Sequence, residues 1–120
     1  MMEVMLREKV EVADELYTGK VVVAGAVAVL YSPGFGAGWY TWNREHPELV
    51  FDPAIVHMVT AGKFDELETF MTLKYPDVYL GGIKDLEVVW VRVGRIFRIA
   101  EYDGNESIEY KDEDESWMLA

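Results

Sequence analysis

A valine-rich run at residues 21–31 constrains the fold more than any other part of this 120-residue chain. The run holds five valines, and its side chains would be apolar on both faces of a strand. β-Branched residues lose rotamer freedom in a helix and pack well in a sheet. We therefore predict a buried central strand here, with Gly25 marking a bulge or a close backbone approach.

A second strong signal is the pair Asp103-Gly104, which separates two strand-like runs at residues 95–102 and 105–110. Asp-Gly between such runs favours a two-residue hairpin with a type I′ turn. A turn of this kind also determines the strand register. The predicted cross-strand pairs are Tyr102 with Asn105, Glu101 with Glu106, Ile99 with Ile108, Arg98 with Glu109, and Phe97 with Tyr110.

Two helices are predicted in the middle of the chain. Asp52 is a suitable N-cap and Pro53 a suitable first residue for a helix that stops at Gly62. Apolar residues at helical spacing predict a second helix, which ends before Pro76. With further strands at residues 4–12 and 86–93, we predict one α+β domain spanning residues 1–120. It contains a mostly antiparallel sheet of about five strands, with two helices packed on one face.

The composition argues against catalysis. The chain has no cysteine, which excludes disulfides, thiolate metal sites and a cysteine nucleophile. Its three serines and two histidines, His46 and His57, form no recognisable catalytic or metal-binding spacing. We therefore predict a protein that is not an enzyme and that uses neither a metal nor a cofactor.

Location is predicted from charge and hydropathy. The first eleven residues mix charges of both signs, which is unlike a secretory leader. The longest apolar run is well short of the roughly 20 residues that a membrane span needs. We therefore predict a cytoplasmic protein that does not enter a membrane, located in the host cytoplasm if a phage encodes it.

The net charge of −11 is concentrated near the end of the sequence. Residues 101–115 carry eight acids and a single base. Such a field disfavours direct binding to nucleic acid and favours a basic protein partner. A solvated edge that keeps the protein soluble is the alternative. The candidate acidic partner surface, which we expect to be exposed, consists of Glu101, Asp103, Glu106, Glu109, Asp112, Glu113, Asp114 and Glu115.

The loop at residues 34–43 combines alternate glycines with four aromatic residues. Glycines allow successive backbone N–H groups to form an anion-binding nest, and the rings offer faces for stacking. The spacing is not a known phosphate fingerprint. A loop that buries its two tryptophans as a lid on the core remains the alternative. The candidate ligand or partner loop consists of Gly34, Phe35, Gly36, Gly38, Trp39, Tyr40, Trp42 and Asn43.

Several segments together resemble a pattern in small acidic proteins of bacteriophages and bacterial genomes for which no activity is known. These segments are the aromatic run at residues 39–43, the triplet at 51–53, the Tyr-Leu-Gly-Gly stretch at 79–82 and the hairpin at 101–110. The resemblance covers residues 34–120 and assigns no functional residue. It implies an accessory phage protein that acts on host machinery.

Charge and resemblance together predict a non-enzymatic accessory protein, encoded by a phage or mobile element, that binds and inhibits a host factor. The acidic partner surface would steer the basic partner, and Trp39 and Trp42 would supply buried anchors. Two alternatives stay open at this point. One is a protein that binds a small nucleotide-like ligand through the loop at 34–43, and the other is a structural protein that forms homo-oligomers.

Overall fold

The computed structural model describes residues 19–34 and 38–111. The strand predicted at residues 4–12, the loop residues Phe35 and Gly36, and the acids at 112–115 lie outside the described residues. Within them, short 3-10 helices occupy Pro47–Val50 and Ile83–Asp85. The strands are β1 (Val22–Val23), β2 (Ala26–Tyr31), β3 (Glu87–Arg92), β4 (Phe97–Tyr102) and β5 (Asn105–Tyr110), and the helices are α1 (Pro53–Thr60) and α2 (Phe64–Lys74).

The α+β fold class is confirmed, with two helices and five antiparallel strands in the described residues. The strands form two sheets, however, and not the single sheet that we predict from the sequence. One sheet has the order β1-β2-β3 and the other is the β4-β5 hairpin. Gly94, with a φ of +87°, provides the tight turn after β3. The chain leaves the first sheet at this turn, so β4 pairs with β5 and not with β3.

The prediction of one unbroken strand over residues 21–31 is wrong. The chain turns back at Ala24-Gly25, so that β1 pairs with the beginning of β2. Ala24 and Gly25 have φ values of +53° and +82°, the left-handed pair that a type I′ turn requires. Gly25 therefore forms a turn and not a bulge. An alanine rarely adopts this conformation, because its Cβ crowds the following carbonyl oxygen.

The β4-β5 hairpin is confirmed in turn and register. Asp103 and Gly104 have φ values of +55° and +83°, as a type I′ turn requires. All five predicted cross-strand pairs are present. In one of them Arg98 donates to the Glu109 carboxylate at 2.8 Å. The turn residues therefore specify this element almost completely.

Asp52 joins the two helices, and its predicted role as the N-cap of α1 is confirmed. Its Oδ1 accepts from the Ala54 N–H at 2.9 Å. Its Oδ2 accepts from Lys74 Nζ and from the Tyr75 hydroxyl, each at 2.9 Å. Burial, reinforced by the hydrogen bond to Asp52, raises the pKa of the Tyr75 hydroxyl well above its ordinary value. One buried carboxylate thus links the start of α1 to the end of α2.

The core has two layers, one on each face of the β1-β2-β3 sheet. Leu30 faces the helices and packs with Ile55 and Leu67. Val29 and Val91 face the other way, toward the β4-β5 hairpin. The sheet is therefore covered by helices on one face and by the hairpin on the other. No helix within residues 19–34 and 38–111 is long and apolar enough to cross a membrane.

Candidate functional site

The side chain of Glu106 is buried, although we expect it on the exposed acidic surface. It is 1% exposed, and its carboxylate accepts four hydrogen bonds from residues that are distant in the sequence. Oε1 accepts from the Ser32 N–H at 2.9 Å. Oε2 accepts from the N–H groups of Trp39 and Thr41, each at 2.8 Å, and from the Thr41 hydroxyl at 2.7 Å. Glu106 therefore holds the loop in place and does not belong to a partner surface.

The loop does bind an anion through backbone N–H groups, but the donors given by these bonds are Trp39 and Thr41 and not the glycines of the predicted nest. The anion is the carboxylate of Glu106 itself. Hydrogen bonds to an ionised acceptor are about twice as strong as neutral ones. The N–H groups of Trp39 and Thr41 are therefore already bonded and are not available to a phosphate.

Three residues of the candidate loop are buried and hold the structure together. Trp39 is fully buried and donates its indole N–H to the Leu49 carbonyl at 3.0 Å. Asn43 is 1% exposed; its amide nitrogen donates to the Trp39 carbonyl at 2.8 Å, and its amide oxygen accepts from the Tyr79 N–H at 2.9 Å. Gly38 is also buried. For Trp39 the lid alternative is correct, so this ring cannot anchor a partner.

Among the described residues of this loop, Trp42 presents the most exposed large ring to solvent. Its side chain is 51% exposed, and Tyr79 beside it is 50% exposed. Their ring centroids are 6.5 Å apart and the ring planes meet at 84°. We call this pair the aromatic corner. Exposed aromatic residues on a well-held loop are typical of binding sites.

Two glycines leave the space in which the two rings of the aromatic corner lie. A Cβ added at Gly38 would collide with the Trp42 indole, and a Cβ added at Gly81 would collide with the Tyr79 ring. Each ring thus lies against bare backbone, where no other residue type would fit without moving it. Asn43 hydrogen-bonds both the Trp39 carbonyl and the backbone of Tyr79. The turn that carries Trp42 (residues 42–48) and the turn that carries Tyr79 (residues 76–82) therefore form one unit.

Two further described residues of the candidate loop, Tyr40 and Gly34, are not part of the aromatic corner. Tyr40 is half-buried and packs on the apolar cluster around Val29 and Val50. The guanidinium of Arg44 lies 5.1 Å from the centroid of the Tyr40 ring. Gly34 is half-buried at the start of the loop. Tyr40 therefore packs on the core, and Arg44, two positions after Trp42 in the sequence, carries a cation.

His46 connects the two turns that carry the corner. Its Nε2 lies 3.0 Å from Asp77 and its Nδ1 lies 3.3 Å from Glu48. The hydrogen bond to Asp77 makes the largest contribution to raising the pKa of His46. The same bond lowers the pKa of Asp77. Because both ring nitrogens face carboxylates, this geometry suits the doubly protonated imidazolium.

Three acids of the predicted partner surface are described and exposed: Glu101, Asp103 and Glu109. Glu109 is paired with Arg98, and the carboxylate of Glu101 accepts from the Gly104 N–H at 3.1 Å. Within the described ranges, no group of three or more histidines and acids is arranged to hold a metal ion. The exposed acids therefore contribute to the electrostatic field of the hairpin.

Sequence reasoning missed the roles of Tyr79 and Glu106. The sequence did hold a signal for Glu106. Alternate residues of a strand share a face, so Glu106 lies on the inward face of β5 together with Ile108 and Tyr110.

Comparison with models of protein families, with curated proteins and with solved structures gives no match to this chain.

Proposed function

We propose that this protein is a non-enzymatic binding protein that docks on a basic protein partner through the aromatic corner. The observation that carries the proposal is the half-exposed pair Trp42 and Tyr79, fixed on glycine backbone. Tryptophan and tyrosine are enriched among the residues that contribute most to binding energy at protein interfaces. These residues contribute most when they lie near the centre of the interface and lose their bound water on association.

Rigidity supports this use of the corner. The loop that carries Trp42 is bonded to Glu106 on one side and, through Asn43, to the Tyr79 turn on the other. A surface that is ordered before binding loses little conformational entropy when a partner arrives. The four bonds to the Glu106 carboxylate therefore favour affinity as well as stability.

Charge supports a basic partner. The net charge is −11, and the described hairpin exposes Glu101, Asp103 and Glu109. Complementary charge raises association rates and suppresses partners of the same sign. In this proposal the exposed acids steer the partner, and the aromatic corner supplies the contact that retains it.

The narrower proposal is that this is an accessory protein of a phage or mobile element that inhibits a host factor in the cytoplasm. It draws on the resemblance of residues 34–120 and on the acidic charge. A protein that covers a basic functional surface of the host factor would inhibit it by occupying that surface. The nucleotide-like alternative is less favoured, because the N–H groups of Trp39 and Thr41 already bind Glu106.

The test is partner capture with matched tryptophan variants. Tagged wild-type protein, Trp42→Ala and Trp90→Ala are incubated with extract at low and high salt, and the bound proteins are identified by mass spectrometry. Trp90 is a suitable control, because it is 47% exposed on β3 and outside the corner. We expect one basic protein to bind wild type and Trp90→Ala at low salt, and to be lost with Trp42→Ala or at high salt. Equal capture by all three proteins would contradict the proposal.

A further inference from the structure

We infer that the aromatic corner receives an arginine side chain of the partner, with the guanidinium plane stacked on the Trp42 indole beside Tyr79. This inference rests on the proposed function and names the chemical group that the corner recognises. It draws on the arrangement of the two rings, on the charge around them and on contacts elsewhere in the same chain.

The geometry provides two walls at nearly a right angle. The two rings meet edge to face, with 84° between the planes and 6.5 Å between the centroids, so a planar group can stack on one ring beside this contact and reach the other ring with its edge. Gly38 and Gly81 support the rings from the protein side, and half of each side chain remains exposed. A flat guanidinium can stack on one ring while its N–H edge meets the other.

The charge around the corner favours a cation. The turns at residues 42–48 and 76–82 carry three carboxylates, those of Glu45, Glu48 and Asp77, against Arg44 and the His46 ring, which lies between Glu48 and Asp77. The two turns therefore sum to −1 with His46 protonated and to −2 with His46 neutral. Aromatic faces are themselves negative, and an indole is the strongest of them for a cation. A phosphate-bearing ligand would meet repulsion here, whereas a guanidinium would meet attraction from the rings and the carboxylates alike.

Cations of both kinds already lie over aromatic rings in the described residues. The guanidinium of Arg95 lies 3.7 Å from the centroid of the Tyr110 ring, and Lys20 Nζ lies 4.3 Å from the centroid of the Phe51 ring. Arginine is favoured over lysine, because a planar guanidinium stacks on a ring and holds its hydration shell less strongly. The partner would therefore place an arginine, rather than a lysine, in the corner.

The experiment is an NMR titration of the full chain with three short acetylated peptides. The peptides are identical and otherwise uncharged, and differ at one central residue: arginine, lysine or citrulline, the neutral isostere of arginine. The indole N–H resonances of Trp42 and Trp90 are followed. We expect the arginine peptide to shift Trp42 and to spare Trp90. Its affinity should exceed that of the citrulline peptide by roughly fivefold, as a partly solvated cation–π contact implies, and the lysine peptide should lie between them.

Glycine variants add a test that leaves both rings in place. Gly81→Ala should displace Tyr79 and weaken the arginine peptide, because the new Cβ occupies the position of the ring. Gly38→Ala should displace Trp42 in the same way. Gly62→Ala is its matched control, since Gly62 has a φ of +73°, close to the +83° of Gly38, but no atom within 4 Å of the added Cβ. Gly62→Ala should bind the arginine peptide as wild type does.

Three outcomes would overturn the inference: equal affinity for arginine and citrulline peptides, equal shifts at Trp42 and Trp90, or no shift at Trp42. None of them would by itself overturn the proposed function. If Trp42→Ala loses the captured partner while the peptides show no preference for arginine, the corner anchors the partner through another group. If Trp42→Ala and Trp90→Ala capture the partner equally, the proposed function fails whatever the peptides show.

Discussion

Replacing Glu106 with glutamine keeps the size of the side chain and removes its charge and one of its two acceptor oxygens. The favoured orientation places the amide oxygen where Oε2 stands, so that it still accepts from Trp39 and Thr41. The amide NH2 group then faces the Ser32 N–H, which loses its acceptor. Two donors thus oppose each other in a buried site.

The cost follows from these contacts. One buried donor without an acceptor costs about 1–3 kcal/mol, and the remaining bonds lose their charge assistance. We therefore expect Glu106→Gln to lower the free energy of unfolding by about 2–4 kcal/mol. Glu106→Ala leaves three N–H groups without an acceptor and should cost more, a large share of the roughly 5–15 kcal/mol of a typical domain.

The assay is urea unfolding followed by circular dichroism, together with hydrogen exchange of individual amides. The control is Glu101→Gln, the same substitution at the opposite position of the hairpin, where the side chain is exposed. It should change stability by no more than about 0.5 kcal/mol. The Ser32 amide, which loses its acceptor, should exchange faster in Glu106→Gln, as should the amides of Trp39 and Thr41, whose bonds lose their charge assistance. All three amides should exchange at the wild-type rate in Glu101→Gln.

The opposing effect is the cost of burying a charge, which glutamine relieves. We expect the four donors to outweigh this cost, because a carboxylate that accepts several hydrogen bonds is well compensated for the water that it loses. If Glu106→Gln is as stable as wild type, or more stable, the desolvation cost dominates. That result would refute Glu106 as the group that stabilises the loop.

Three further predictions concern other groups. Asp52→Ala removes the cap of α1 and the acceptor of the Tyr75 hydroxyl, and should cost about 2–4 kcal/mol in urea unfolding. His46 should titrate above its ordinary 6.5 by NMR. Because its folded-state pKa is raised, its stabilising contribution is full below the unfolded pKa and is lost as the pH rises through the folded one; His46→Gln should lack this pH dependence. Trp39→Phe, which loses the bond to Leu49 and leaves a cavity, should cost about 2–3 kcal/mol, whereas Trp90→Phe should cost under about 0.5 kcal/mol by the same assay.

Local signals predict parts of this fold well. Asp103-Gly104 and Asp52-Pro53 use residues that suit one backbone conformation, so the hairpin register and the start of α1 follow from the sequence. The turn at Ala24-Gly25 lacks such a residue at its first position, since alanine seldom adopts a positive φ. Periodicity could not reveal it either, because both arms of the β1-β2 hairpin are rich in apolar residues.

The candidate site was predictable only in part. The composition of the loop identifies Trp42 as a residue that could meet a partner, but it does not separate Trp42 from the buried Trp39. That difference depends on contacts outside the loop: Leu49, ten positions from Trp39, accepts from its indole, and Glu106 binds the loop from 65 or more positions away. Tyr79 joins the corner through Asn43, a contact that spans 36 positions and has no local signature.

The most direct test of partner binding through the aromatic corner is hydroxyl-radical footprinting of the protein, alone and in complex with the captured partner. Side-chain oxidation at Trp42, Tyr79 and Trp90 is measured by mass spectrometry. Our account predicts that Trp42 and Tyr79 become strongly protected in the complex while Trp90 reacts as it does in the free protein. Unchanged oxidation of Trp42 and Tyr79 in the saturated complex would contradict it.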